Sequence, residues 1–102
     1  MSLDITRVLE DIKSDSIKNI ILDTDTYNEI DDQFALSYAM LSPDRVNILS
    51  VNAAPFLNTR STSAGDGMMK SYNEIFRIMK LVDPDASFPV YKGSDRFLPS
   101  KD

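Results

Sequence analysis

Residues 19–36 read NIILDTDTYNEIDDQFAL, a short apolar run that leads into five acidic residues and then turns apolar again. Residues 20–22 have the length and β-branched content of a strand, and their continuous apolar character predicts burial on both faces. Phe34, Tyr38 and Leu41 recur at helical spacing and predict a helix over residues 31–41, nearly all apolar after its first turn and hence buried. The stretch therefore predicts a strand that delivers carboxylates to the start of a helix.

The five acids from Asp23 to Asp32 carry a concentrated negative charge. No Lys or Arg lies between residues 19 and 44, so their charge of −5 equals the formal net charge of the 102-residue chain. Crowded carboxylates resist ionising together unless a cation or strong donors compensate them. The simpler alternative is that Asp31 or Asp32 only caps the helix, an arrangement worth about 0.5 to 2 kcal/mol. A cap explains one Asp and not five acids, so the pattern favours a divalent metal site.

The remaining elements predict an α/β fold. Residues 46–51 predict a second strand, which forms a βαβ unit with the first strand and the helix between them. Apolar residues that step by three or four from Met68 to Val82 predict an amphipathic helix, and a shorter one is predicted over residues 5–12. Residues 88–91 predict a third strand, which Pro89 restricts to an edge or to a strand start. The predicted fold class is α/β with a Rossmann-like parallel sheet.

Two polar segments follow the first two predicted strands. Residues 23–30 follow the first strand, and residues 52–65 follow the second without helical or strand periodicity. Loops as long as the second one are uncommon in compact domains unless they have a function. Ligands of parallel α/β sheets bind in the crevice beyond the carboxyl ends of the strands, so we expect both segments to face one crevice.

Composition restricts the classes of function. A net charge of −5 argues against nucleic acid as a partner, because phosphate binding needs a basic surface. The chain has no Cys and no His, which excludes thiolate ligands from it and removes the commonest general acid or base near neutral pH. No apolar run approaches the roughly 20 residues of a membrane span, and the N-terminus lacks a basic-then-apolar signal. We therefore expect no membrane partner and a cytoplasmic location.

Two motifs of this sequence occur in the same order in a known family. Residues 23–25 and 31–32 match both ends of Asp-x-Asp-Pro-Gly-x-Asp-Asp, and residues 88–98 are similar to Pro-Val-Tyr-x-Gly-x-x-x-Pro-Leu, with Phe97 in place of the second Pro. In these features the chain resembles the nucleoside hydrolases, the inosine-uridine-preferring N-ribohydrolase family. Residues 26–30 depart from the family signature, since they are two residues longer and lack its Pro and Gly.

The resemblance implies a role for each matched residue. Asp25 would ligate Ca²⁺ and accept the proton of the attacking water, and Asp32 would be a second Ca²⁺ ligand. Asp31 would bind ribose hydroxyls, Asn58 is a candidate contact to the ribose, and Asp23 would be a supporting carboxylate. These roles agree with the preference of Ca²⁺ for oxygen ligands and with the oxocarbenium-like transition state of glycoside cleavage. The implied reaction is hydrolysis of the N-glycosidic bond of a ribonucleoside.

Two other functions are also consistent with the sequence. A strand that ends in Asp-x-Asp resembles the first motif of haloacid-dehalogenase-type phosphohydrolases, with Asp23 as the nucleophile. Tyr27 stands where that family prefers Thr or Val, and the pair Asp31 and Asp32 has no role there. The second alternative is a small, non-enzymatic module that binds Ca²⁺ or oligomerises.

The length of the chain raises a further expectation. Nucleoside hydrolases are considerably longer, and they take further ligands and a leaving-group acid from sequence without a counterpart here. We therefore expect residues 1–102 to form a single, incomplete α/β domain, the N-terminal third of the nucleoside hydrolase fold. Such a domain would be inactive alone, and its partner would be the remaining part of the same protein or further copies of the chain.

Overall fold

The computed structural model describes residues 4–100, which form three helices and a three-stranded parallel sheet. The elements in chain order are α1 (Ile5–Lys13), β1 (Lys18–Thr24), α2 (Ile30–Met40), β2 (Val46–Ala53), α3 (Ala64–Val82) and β3 (Val90–Lys92). The strand order is β1-β2-β3 and both pairs are parallel, so α2 and α3 lie in the connections between neighbouring strands. The α/β class and the type of each predicted element are confirmed.

The hydrophobic core lies between α2, α3 and one face of the sheet. Helix α3 contributes its predicted apolar stripe: Met68 and Ile75 are buried, and Tyr72, Met79 and Val82 pack against them. The helix begins at a capped end, because the Ser63 hydroxyl accepts a hydrogen bond from a backbone N–H of the first turn. The buried members of the core are Leu36, Val51, Ala53, Met68, Ile75 and Ile78.

The opposite face of the sheet is open within residues 4–100. Exposed and less exposed residues alternate along β1, and Ile21 is 63% exposed. The prediction that residues 20–22 are buried on both faces is wrong, because α2 and α3 bury one face and no described element buries the other. Asn19 and Asn47 pair on the open face, where the Asn47 amide donates to the Asn19 oxygen at 3.0 Å.

Helix α2 is far less buried than predicted. Leu36 is its one residue that is completely buried, whereas Phe34 and Tyr38 are 67% and 77% exposed and Leu41, which follows the helix, is also exposed. The reason is that α2 contacts β2 and α3 on one side only, so the remaining apolar side chains of the helix have no neighbour among the described residues. The prediction of a buried α2 is therefore wrong.

Helix α1 and strand β3 are the first and last elements of the described chain. Helix α1 is capped by Asp4, whose carboxylate accepts hydrogen bonds from the N–H groups of Thr6 and Arg7, and all its residues are exposed. Strand β3 is an edge strand, as predicted, but it begins at Val90, two residues after the predicted start. No helix within residues 4–100 is both long and apolar enough to cross a membrane.

Candidate functional site

Two loops leave the same edge of the sheet. The β1–α2 loop (residues 25–29) and the β2–α3 loop (residues 54–63) begin where Thr24 pairs with Ala53 in the parallel register. The N–H of Ala54 donates to the Thr24 carbonyl at 2.8 Å and extends this pairing by one residue. The loops therefore start side by side at the carboxyl ends of β1 and β2, where the sequence predicts a shared crevice.

Asp25 and Asp32 form a carboxylate pair at this edge. The Asp25 side chain lies within hydrogen-bonding range of the Asp32 carboxyl, and this contact together with partial burial raises the pKa of Asp32. The Thr24 hydroxyl and the Asp25 backbone N–H donate to Asp32 and oppose the shift, and the Thr24 bond measures 2.8 Å. Two half-buried carboxylates thus share one site, and a bound cation would relieve their repulsion.

A pair of buried hydroxyls supports this carboxylate pair. Thr24 and Thr26 are both buried, and their Oγ1 atoms lie 3.0 Å apart. Because Thr24 gives its only hydroxyl proton to Asp32, Thr26 must be the donor in the contact between the two threonines. The chain of donors runs from the buried interior to the carboxylate and holds Asp32 in place. Thr24 was not predicted as a site residue, although its position between two aspartates at a strand end could have indicated one.

The second carboxylate of the pair is held by Asn28. The Asn28 side-chain amide donates to Asp25 Oδ2 at 2.9 Å, and its backbone N–H donates to the Asp25 carbonyl at 2.8 Å. Asn28 is in turn contacted by the β2–α3 loop: the Asn58 amide donates to its Oδ1 and the Arg60 guanidinium donates to its carbonyl oxygen. The two loops therefore meet at Asn28, which was not predicted from the sequence as a site residue.

The other predicted acids lie apart from the pair. Asp23 Oδ1 accepts a hydrogen bond of 2.8 Å from the Asn52 amide, and both side chains are on the open face of the sheet. Asp31 is exposed in the first turn of α2, and Glu29 is the N-cap residue without a side-chain capping bond. Neither Asp31 nor Asp32 is the N-cap residue, but both lie in the first turn of α2, where the helix dipole favours an acidic side chain.

The β2–α3 loop is fixed to α3. The Asp66 carboxylate accepts the N–H of Thr62 at 2.9 Å and pairs with Lys70 at 3.1 Å, and these contacts, the Thr62 bond first, lower the pKa of Asp66. Lys70 also donates to the Arg60 carbonyl at 2.8 Å. The backbone that carries Asn58 and Arg60 is therefore anchored at its far end.

Helix α3 holds the β1–α2 loop as well. The N–H of Tyr27 donates to the completely buried Ser71 hydroxyl at 3.2 Å, and the Tyr27 ring stacks on Phe56 of the other loop at 6.4 Å between centroids. Gly67 allows the close approach, because a Cβ on this residue would lie 2.1 Å from the carbonyl oxygen of Phe56. Both loops are thus packed on one helix.

A cleft of about 500 Å³ opens at the same edge of the sheet, on its open face. Asp23, Asn52 and Tyr91 pair across the three strands and line it, together with residues 92–94. Its volume lies in the range of small-molecule sites, about 300 to 1,000 Å³. Asp25 and Asp32 are not among its lining residues, so the carboxylate pair and the cleft are neighbouring features of one edge.

Asp25 and Asp32 fit part of a Ca²⁺ site. Ca²⁺ takes six to eight oxygen ligands, commonly from carboxylates, carbonyls and water. Between residues 4 and 100, no three side chains of Asp, Glu, His or Cys converge as a metal-binding group. The pair therefore supplies carboxylate oxygens and negative charge, and the other positions would fall to water, backbone carbonyls or hydroxyl groups of a ligand.

No protein-family model, curated protein or solved structure matches this chain. The resemblance of residues 19–98 to the nucleoside hydrolases accordingly stays a prediction.

Proposed function

We propose that the carboxyl edge of the sheet is part of a Ca²⁺-dependent N-ribohydrolase site in a Rossmann-like, nucleoside hydrolase-type fold. The observation that carries the proposal is the contact between the side chains of Asp25 and Asp32, two acids that lie seven residues apart in the sequence. Both are the residues that the sequence resemblance assigns to the metal. The convergence of two polar loops at the ends of parallel strands supports the same assignment.

Each residue has a distinct task in this proposal. Ca²⁺, when bound, supplies positive charge that lowers the pKa of water. Asp25 accepts the proton of the attacking water, and the exposed Asp31 accepts hydrogen bonds from ribose hydroxyls. Asn58 uses its oxygen and one amide proton within the loops, so one amide proton remains for a ribose oxygen. Asp32 supplies the second carboxylate, and Thr24 keeps it in place.

The surroundings of Asp23 favour this proposal over a phosphohydrolase. In the phosphohydrolase reading, Asp23 is the nucleophile and must act together with Asp25. The Asp23 carboxylate instead accepts a hydrogen bond from the Asn52 amide, and the carboxyl group that interacts with Asp25 is that of Asp32. The contact between Asp25 and Asp32 has no role in the phosphohydrolase reading, whereas a shared cation requires it.

The test is a sequential titration of the chain by calorimetry and NMR. We expect Ca²⁺ to bind weakly, with a Kd on the order of 10⁻⁴ to 10⁻³ M, because the described part of the chain offers only two paired carboxylates. Asp32→Ala abolishes this binding, and Asp44→Ala, an exposed acid outside the cluster, leaves it unchanged. Inosine or uridine then shifts the backbone signals of Asp31 and Asn58 only when Ca²⁺ is present.

Three outcomes would contradict the proposal. Nucleoside binding that is independent of Ca²⁺ would separate the ligand from the carboxylate pair. Tight Ca²⁺ binding, below about 10⁻⁵ M and without any response to nucleosides, would support the non-enzymatic module instead. Trapping of Asp23 by beryllofluoride, a mimic of an aspartyl phosphate, would support the phosphohydrolase.

A further inference from the structure

The geometry points to Asn28 as the positioning residue for Asp25, and to the β2–α3 loop as the element that controls it through Asn58 and Arg60. This inference rests on the proposed function, since it concerns how the first carboxylate is presented to a cation. Asn28 lies within residues 26–30, where the chain departs from the nucleoside hydrolase signature. The segment that differs from the signature thus contains the residue that holds the Asp25 carboxylate.

Asn28 fixes Asp25 at two points. Its backbone N–H holds the Asp25 carbonyl at 2.8 Å and closes a tight turn, and its side-chain amide holds Oδ2 of the carboxylate at 2.9 Å. One contact sets the path of the backbone and the other sets the rotation of the side chain. A carboxylate held in this way keeps its orientation before any cation arrives, which lowers the cost of binding.

The chemistry of the contacts determines which way the Asn28 amide faces. An ionised carboxylate only accepts hydrogen bonds, so Asn28 must direct its NH₂ group to Asp25 and its oxygen to the other side. That oxygen accepts from the Asn58 amide, and the Asn28 carbonyl accepts from the Arg60 guanidinium. The N–H, NH₂, Oδ1 and carbonyl groups of Asn28 are therefore all engaged, which locks a flexible side chain into one state.

The control by the β2–α3 loop follows from its anchorage. Asn58 and Arg60 lie on a segment that is hydrogen-bonded to Asp66 and Lys70 of α3. The groups that donate to Asn28 are therefore held in a fixed position. Residues that orient a metal ligand without contacting the metal change metal affinity by about 10- to 100-fold when they are removed. Asn28 is expected to act in this manner on Asp25.

Tb³⁺, a luminescent substitute for Ca²⁺, provides the test on the full chain. We expect Asn28→Ala to weaken Tb³⁺ binding about tenfold and to add about one bound water, counted from luminescence lifetimes in H₂O and D₂O. Asn47→Ala is the matched control, because it breaks an Asn–Asn bond at the other end of the sheet. Asn58→Ala should weaken binding less, and not at all once Asn28 is absent.

The outcomes separate this inference from the proposed function. If the wild-type chain binds Tb³⁺ but Asn28→Ala binds it as tightly as Asn47→Ala does, the inference alone is overturned. An equal loss from Asn58→Ala with and without the Asn28 side chain would also overturn it, because Asn58 would then affect the cation by a route that does not pass through Asn28. If the wild-type chain does not bind Tb³⁺, the proposed cation site is refuted. The claim that Asn28 presents Asp25 to a cation is then refuted with it.

A readout without metal tests the contact itself. The side-chain NH₂ signals of Asn28 in NMR spectra should move when Asp25 is replaced by Ala, and they should not move in Asp23→Ala. Unchanged Asn28 signals in Asp25→Ala would overturn the positioning role whether or not a cation binds.

Discussion

Replacing Thr24 with Val removes the hydroxyl that joins the buried interior to the carboxylate pair. The hydroxyl donates to Asp32 at 2.8 Å, and a hydrogen bond to a charged group is worth about 1.5 to 3 kcal/mol. The substitution also leaves the completely buried Thr26 hydroxyl without its acceptor, which costs about 1 to 3 kcal/mol. Because the two losses are not independent, we expect Thr24→Val to destabilise the chain by about 2 to 4 kcal/mol at pH 7.

The cost of Thr24→Val should depend on pH. The lost hydrogen bond favours the ionised form of Asp32, so its removal raises the pKa of Asp32 further above the ordinary value of 3.8. The stabilisation from this bond is therefore full at pH 7 and decreases as the pH falls through the pKa of Asp32. At a pH below the pKa of Asp32 the cost of the substitution should be about 1 kcal/mol smaller, since only a neutral hydrogen bond is lost.

Urea unfolding followed by far-UV circular dichroism at the two pH values measures this cost. Thr26→Val is the matched control, because it removes one buried hydroxyl and leaves the bond from Thr24 to Asp32 in place. We expect the control to cost about 1 kcal/mol at either pH. A Thr24→Val cost below about 0.5 kcal/mol, or one equal to that of the control at both pH values, would refute the role assigned to Thr24.

Gly67→Ala should destabilise the chain by about 2 to 4 kcal/mol, because its Cβ would lie 2.1 Å from the Phe56 carbonyl oxygen; an unchanged melting temperature contradicts this. Asp32→Asn should stabilise the metal-free chain by up to about 0.5 kcal/mol at pH 7 in urea unfolding. The raised pKa of Asp32 makes its ionised form a cost that grows with pH, so the gain should vanish in acid, and a loss at pH 7 would be inconsistent with this sign. Replacing Phe34 and Tyr38 together by Asn should change stability by no more than about 0.5 kcal/mol while reducing self-association in light scattering, since both side chains are exposed; a large loss would mean that they are buried in solution.

The element types could be predicted because each has a local cause. The stripe from Met68 to Val82 repeats at helical spacing over about four turns of α3. Pro89 lacks a backbone N–H, which is tolerated only at the edge or the start of a strand. The predicted buried face of α3 is the observed one, with Ile75 completely buried. Patterns of this kind depend only on residues that are close in the sequence, so they can be recognised without knowledge of the tertiary structure.

Burial could not be predicted in the same way. An apolar pattern reports which face of an element is able to be buried, but it does not report whether another element is there to cover it. Ile21 and Phe34 are apolar and well placed in their elements, yet both are mostly exposed. Ile21 is exposed because α2 and α3 lie on the other face of the sheet, and Phe34 because no described element covers the outer side of α2. Their exposure depends on the arrangement of whole elements.

The candidate site was predictable in outline only. The acidic stretch begins at the end of β1, as the sequence predicts, but which of its carboxylates contact one another depends on side-chain direction. Asp23 points to the open face of the sheet, while Asp25 and Asp32 come together. The contact from Asn58 to Asn28 joins residues 30 positions apart, and no periodicity records such a pair.

Paramagnetic Mn²⁺ in place of Ca²⁺ tests the central claim most directly, because it broadens the NMR signals of residues close to the bound ion. If Asp25 and Asp32 share the cation, broadening should be strongest for residues 24–33 and should disappear in Asp32→Ala. It should also disappear when excess Ca²⁺ competes for the site. Broadening centred on residues 83–85, an acidic segment elsewhere on the surface, or an unchanged pattern in Asp32→Ala, would contradict a cation site at the carboxyl edge of the sheet.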